Sequence, residues 1–155
     1  MLNKLRVRAQ SESGFTLVEL LVVMLILGLL AAIAIPSFFN QRDKAKDADA
    51  KAAVRTAQTA IESYATDRDG SYANATAAIL QGIEETLNDA DLADPTISGG
   101  GTGYTVAVTS ETGNVFSIVR AANGTVTFPC TTGGTAGCPE TGATDYWAKA
   151  PAPAP

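Results

Sequence analysis

Residues 15–39 read FTLVELLVVMLILGLLAAIAIPSFF, and this stretch decides what kind of chain this is. Its only clearly polar members are Thr16, Glu19 and Ser37. As a helix rising 1.5 Å per residue it reaches about 37 Å, enough to cross a hydrocarbon core. Before it, residues 1–14 are polar, with Lys4, Arg6 and Arg8 against Glu12; beyond Asn40 the chain turns abruptly charged. Pro36 lacks a backbone donor and crowds the preceding turn, so a kink or local melt is expected there.

Two readings of the apolar run compete. It is either a membrane helix or a signal peptide, for which Ala32-Ile33-Ala34 supplies an A-x-A-like cleavage site. In the second case a soluble binding module would begin near Ile35. Glu19 weighs toward the first. An ionisable group in an apolar helix is costly and calls for a positive partner. If the chain is cut between Gly14 and Phe15, the new α-amino group of Phe15 is the obvious candidate. The tally of Lys and Arg does not orient the helix, because Arg42, Lys44, Lys46, Lys51 and Arg55 follow it.

The run Gly14-Phe15-Thr16-Leu17-Val18-Glu19-Leu20-Leu21-Val22-Val23 resembles the processing site of type IV pilins and of the pseudopilins of type II secretion. The likeness continues through Ala31-Ala32-Ile33-Ala34-Ile35-Pro36 to roughly Tyr64. It implies that residues 1–14 are a leader and that a prepilin peptidase cuts after Gly14 on the cytoplasmic side. Phe15 then becomes an N-methylated terminus, and Glu19 pairs with the Phe15 amine of a neighbouring subunit. Gly28 and Pro36 mark a stretch of helix that loosens in the filament. The resemblance further implies storage in the cytoplasmic membrane, then polymerisation into a surface homopolymer. An inner-membrane platform protein and a cytoplasmic assembly ATPase would drive that step. Adhesion, twitching motility, DNA uptake and secretion are all roles within the family. A pseudopilin of type II secretion or of a DNA-uptake filament is the alternative to a pilus subunit.

Residues 40–66 read as an amphipathic continuation of the helix. Ala50, Val54, Ala57, Ile61 and Tyr64 recur at steps of three and four, one apolar stripe on a helix, with Lys51, Arg55 and Glu62 on other faces. Asp67-Arg68-Asp69-Gly70-Ser71 reads as the turn that ends it; only the start of a calcium-loop pattern is present. Within residues 67–147 the spacing predicts a short helix over Asn74–Leu87, capped by Asn74, with Ile79, Leu80, Ile83 and Leu87 as its apolar side. Asp89, Asp91 and Asp94 read as a solvated loop, a cation site being the lesser alternative. Tyr104, Val106 and Val108 alternate as a strand, Glu111–Asn114 turns, and Val115–Arg120 returns with Phe116 and Ile118 on one face. Asn123-Gly124 is a hairpin signal, followed by a third strand over Thr125–Phe128. The expected fold is α+β: a long N-terminal helix, its apolar half protruding, packed on a small antiparallel sheet. Tyr146 and Trp147 are expected to anchor the end of the chain against that sheet, and residues 148–155 form a Pro/Ala-rich tail.

Composition narrows the chemistry. The chain of 155 residues has no histidine, so the commonest general base and metal ligand is missing, and no nucleophile or phosphate-binding loop is recognisable. No catalytic residue, metal or cofactor is expected. The two cysteines, Cys130 and Cys138, read as a disulfide if the domain is exported, and as two unrelated thiols otherwise. There are 11 basic and 16 acidic residues, and loss of residues 1–14 would remove three of the bases against one acid. Direct binding of nucleic acid is therefore disfavoured. Asn74-Ala75-Thr76 and Asn123-Gly124-Thr125 match the glycosylation pattern, but Asn123 has a sufficient reason as a turn residue.

Overall fold

The computed structural model describes residues 14–131, 137–139 and 147. The expectations for the leader, for Tyr146 and for residues 148–155 lie outside the described residues, apart from Gly14. The chain divides into two compact units, residues 1–39 and residues 40–155.

Helix α1, Leu17–Thr66, is shared between them and carries Pro36 inside it. Leu and Ala before the proline, and Ala, Lys, Arg and Gln after it, supply adequate helix propensity. The helix runs without interruption through Gly28 and Pro36. In the first unit the large apolar side chains from Phe15 to Phe39 are exposed. An 18-residue window of mean hydropathy 2.9 makes this segment long and apolar enough to cross a membrane.

The second unit is an α+β layer pair. The predicted stripe Ala50, Val54, Ala57, Ile61 and Tyr64 is buried, and it shares a core with Tyr104, Val106, Val108, Phe116 and Ile118 of the sheet. Burying the larger of these side chains, such as Val54, Ile61, Ile118 and Phe116, contributes about 1.5–3 kcal/mol each. The helix stops where the sequence says. The Arg68 and Gly70 amides both donate to the Ala65 carbonyl at 2.9 Å, and Asp69 and Gly70 take positive φ of 53° and 79°. That left-handed pair closes the last turn as glycine-containing C-caps do.

The short second helix differs from expectation. α2 is Ala77–Ile83 and its cap is Thr76, whose hydroxyl accepts from the Ile79 amide at 3.3 Å. Asn74 instead adopts φ 62°, a left-handed turn position that asparagine tolerates. A 3-10 turn, Glu85–Asp89, follows at once. Leu80 and Leu87 are buried while Ile79 and Ile83 stay exposed.

The strands are β1 Asp91–Leu92, β2 Thr96–Ser98, β3 Gly103–Thr109, β4 Val115–Arg120, β5 Val126–Thr127 and β6 Cys130–Thr131. All pairings are antiparallel. The central pair β3–β4 sets Val106 opposite Ile118 and Val108 opposite Phe116. β1 and β2 lie on the far side of β3, while β5 and β6 lie on the far side of β4. The expected third strand is shortened to β5, and β6 follows beyond its expected end. Phe128-Pro129 interrupts the ladder because proline brings no amide donor. The register carries on across the gap, where the Ser117 amide donates to the Pro129 carbonyl at 2.9 Å. Trp147 packs edge-on against Phe116 and Phe128, and its indole donates to the Ser117 carbonyl at 3.1 Å, so the predicted anchor is in place.

Candidate functional site

The first cluster is the start of α1. Thr16 stands immediately before the helix, and its hydroxyl accepts from the Glu19 amide at 3.2 Å. Glu19 answers with Oε2, which accepts from the Thr16 amide and from the Thr16 hydroxyl, each at 2.8 Å. This is a reciprocal capping box: two orphan amides of the first turn are satisfied by side chains three residues apart. The sequence reasoning assigned Glu19 only an intermolecular partner. The Thr-x-x-Glu spacing ahead of an apolar run was the signal for an intramolecular one. Both bonds fall on Oε2, so among the described residues Oε1 stays open to a donor from outside. Gly14 and Phe15 precede the cap as exposed chain outside any helix or strand, and among the described residues nothing lies within 4 Å of a Cβ built on Gly14. Gly28 likewise faces open space.

A second cluster was not foreseen. Asp47 continues the buried stripe one step toward the N-terminus and is fully buried. Three groups from two segments donate to it. The Thr112 hydroxyl reaches Oδ1, the Asn114 side-chain amide reaches Oδ2 at 2.8 Å, and the Gly137 backbone amide reaches Oδ2 at 2.7 Å. Burial pushes the Asp47 carboxyl up, but its hydrogen bonds outweigh this and hold it below the usual carboxylate range. One turn along, Lys51 donates to the Gly137 carbonyl at 2.6 Å, and burial lowers its pKa. Gly137 adjoins Cys138, which is bonded to Cys130 with the Cα atoms 6.1 Å apart. The predicted cysteine pair is therefore joined.

A third cluster centres on Glu62. Its Oε2 accepts from the Tyr72 hydroxyl at 2.7 Å, and its Oε1 from the Tyr104 hydroxyl at 2.9 Å and from Arg120 at 3.2 Å. Burial, then the Glu62 hydrogen bond and charge, pushes the Tyr72 phenol up to about 12 and the Tyr104 phenol higher still. The acid ties α1 to the loop before α2 and to both central strands. Asp89, Asp91 and Asp94 do not converge; Asp94 accepts from the Ala77 amide at 2.8 Å. Among the described residues no three His, Cys, Asp or Glu side chains are grouped as metal ligands.

Comparison with known proteins gives a consistent result. Residues 10–35 match the prokaryotic N-terminal methylation motif. The chain is 43% identical over 56 residues to the type IV major pilin protein PilA of Myxococcus xanthus, covering 36% of this chain and 26% of the relative. It is 40% identical over 58 residues to the type II secretion system core protein G of Pseudomonas aeruginosa, covering 37% and 41%. It is 34% identical over 74 residues to the competence protein ComGC of Halalkalibacterium halodurans, covering 48% of this chain and 72% of that protein. The chain thus spans less than half the length of the first two relatives. No solved structure matches it.

Proposed function

This chain belongs to the type IV pilin-like family, and we propose that it is the structural subunit of a type IV pilus-like surface filament. One observation carries the reading: a capped, solvent-exposed apolar helix starts two residues after the Gly14–Phe15 junction and continues into a folded unit with a joined disulfide. Such a surface is stable only in lipid or against copies of itself, because water exposure of so many large apolar side chains is costly.

The proposed sequence of events follows from the residues. The precursor sits in the cytoplasmic membrane through residues 15–39. A prepilin peptidase removes residues 1–14, and the Phe15 amine, later methylated, becomes the positive partner that Glu19 lacks. The Glu19 Oε1 that the capping box leaves open accepts the Phe15 ammonium of the neighbouring subunit. Desolvating both charges costs several kcal/mol, and a subunit docked at the wrong height leaves both unpaired. The pair therefore selects register more than it adds stability. Gly28 and Pro36 provide the stretch that loosens on packing, since Ala32 has no amide donor from Pro36. A cytoplasmic ATPase and an inner-membrane platform protein supply the work of extraction. The function is structural rather than enzymatic, and no cofactor enters it.

A pseudopilin of a secretion or DNA-uptake filament is the second reading, favoured by the likeness to core protein G and ComGC. The disulfide-joined C-terminal segment favours the pilus. Intact-mass measurement of the mature protein, with electron microscopy of sheared surface fibres and peptide identification, tests the proposal. A mass beginning at methylated Phe15 in fibres made of this chain is expected. A soluble monomer beginning near Ile35 would overturn it.

A further inference from the structure

Gly137 is gripped on both sides of its peptide by two residues one turn apart on α1. Its amide donates to Asp47 at 2.7 Å, and its carbonyl accepts from Lys51 at 2.6 Å. The approach is so close that a Cβ at this position would lie 2.8 Å from the Asp47 Cβ and 3.0 Å from the Lys51 ammonium nitrogen. Asp47 is held in place from elsewhere, by Thr112 and Asn114 of the β3–β4 connection. Cys130 is held separately, in β6, paired with Phe116 of β4. The two cysteines are thus presented by different supports, the sheet for one and α1, through Gly137, for the other.

We propose that Asp47 and Lys51 form a cradle that seats Gly137 and positions Cys138 for bonding to Cys130. Disulfide closure and docking of this chain segment on the helix are then one coupled event. Undocking would deprive a buried carboxylate of one donor and Lys51 of its acceptor, so the cradle favours the geometry in which the sulfurs meet. Coupling is reciprocal: the bond strengthens the seating of Gly137 by the same factor as the seating strengthens the bond. The oxidation uses a small-molecule or protein disulfide. One cysteine thiolate attacks its S–S bond and expels a thiolate; the second attacks the resulting mixed disulfide and expels the other. Cys130 and Cys138 together lose two protons and two electrons, and the oxidant becomes two thiols. Asp47 and Lys51 are positioning residues and exchange no electrons.

The test equilibrates the full chain, in detergent micelles, with reduced and oxidised glutathione, then quenches, alkylates and weighs it. The ratio gives the effective concentration of Cys138 toward Cys130. Lys51→Met, which removes the hydrogen bond from a charged group, and Gly137→Ala, whose Cβ would push the segment off Asp47 and Lys51, are each expected to lower it about tenfold. Glu62→Gln, a change in the separate Tyr72–Tyr104–Arg120 cluster, is expected to leave it unchanged within about twofold, although it loosens the same folded unit. Wild-type values for both cradle variants would overturn the proposal. So would an equal fall in Glu62→Gln, because the effect would then follow general stability and not positioning.

Discussion

Replacing Glu62 with alanine should destabilise the folded unit by about 2–4 kcal/mol, and the figure follows from the atoms that lose a partner. Tyr104 is fully buried and its hydroxyl donates to Glu62 Oε1 at 2.9 Å. Leaving such a donor without an acceptor costs about 1–3 kcal/mol, although Gln58 lies close enough to recover part of it. The Tyr72 bond at 2.7 Å, to a charged acceptor, adds about 1.5 kcal/mol. The Arg120 ion pair contributes under about 1 kcal/mol, since both side chains are more than a third exposed. At roughly 4 °C per kcal/mol, the thermal midpoint of the full chain in micelles falls by about 8–16 °C, read by near-ultraviolet circular dichroism. Glu62→Gln keeps one acceptor oxygen and should lose about half as much. The Tyr72 phenol, at about 12 because of burial first and Glu62 second, should titrate lower in both variants, followed by ultraviolet absorbance. A midpoint within 2 °C of wild type, by the same ~4 °C scale, would refute the assignment of Glu62 as the tie between α1 and the two strands.

Further outcomes concern the helix start and the pH response. Glu19→Ala should leave membrane insertion and cleavage after Gly14 intact while sharply reducing filament yield, scored by immunoblot of sheared fibres; normal yield would remove the charge-pairing role. Gly14→Ala should be tolerated or slow maturation, whereas Gly14→Phe should block it. Among the described residues nothing crowds Gly14, so a block is expected to arise in the peptidase, and unaltered maturation of the bulky variant on a mass spectrum would move the junction elsewhere. Asp47 has a lowered pKa in the folded chain, so it binds fewer protons there than when unfolded. Its contribution is therefore complete above the unfolded value of about 4 and is lost as pH falls through the folded value. Urea midpoints should decline below about pH 4 in the wild type, and less steeply in Asp47→Asn. Tyr72 acts at the other end: its raised phenol gives stability that is complete below about pH 10 and is lost as pH rises toward 12.

Much of the architecture was legible because it depends on neighbours in the chain. The stripe from Ala50 to Tyr64 announces a buried helix face by its spacing alone, and alternation around Val106 and Phe116 announces the central hairpin. β1 and β2 were not legible, since two or three residues carry no period. The cap of α2 moved from Asn74 to Thr76 because Asn74 was needed for a left-handed turn. At the helix start the acid was found but half of its chemistry was missed: Thr16 and Glu19 form a local box that spacing could have revealed.

The sequence by itself determined the apolar helix, the Gly14-Phe15 pair that precedes it and its single acid, all written within one continuous stretch of about seven helical turns. Period and polarity suffice for features of that range, because neighbours along a helix are neighbours in the sequence. Only the tertiary structure decided that Asp47 is buried rather than solvated and that Gly137 is its donor. It likewise decided that Glu62 gathers two tyrosines and an arginine. Those partners come from segments far apart in the chain. A carboxylate can enter a core only where folding brings enough donors to replace water, and no local pattern records that meeting.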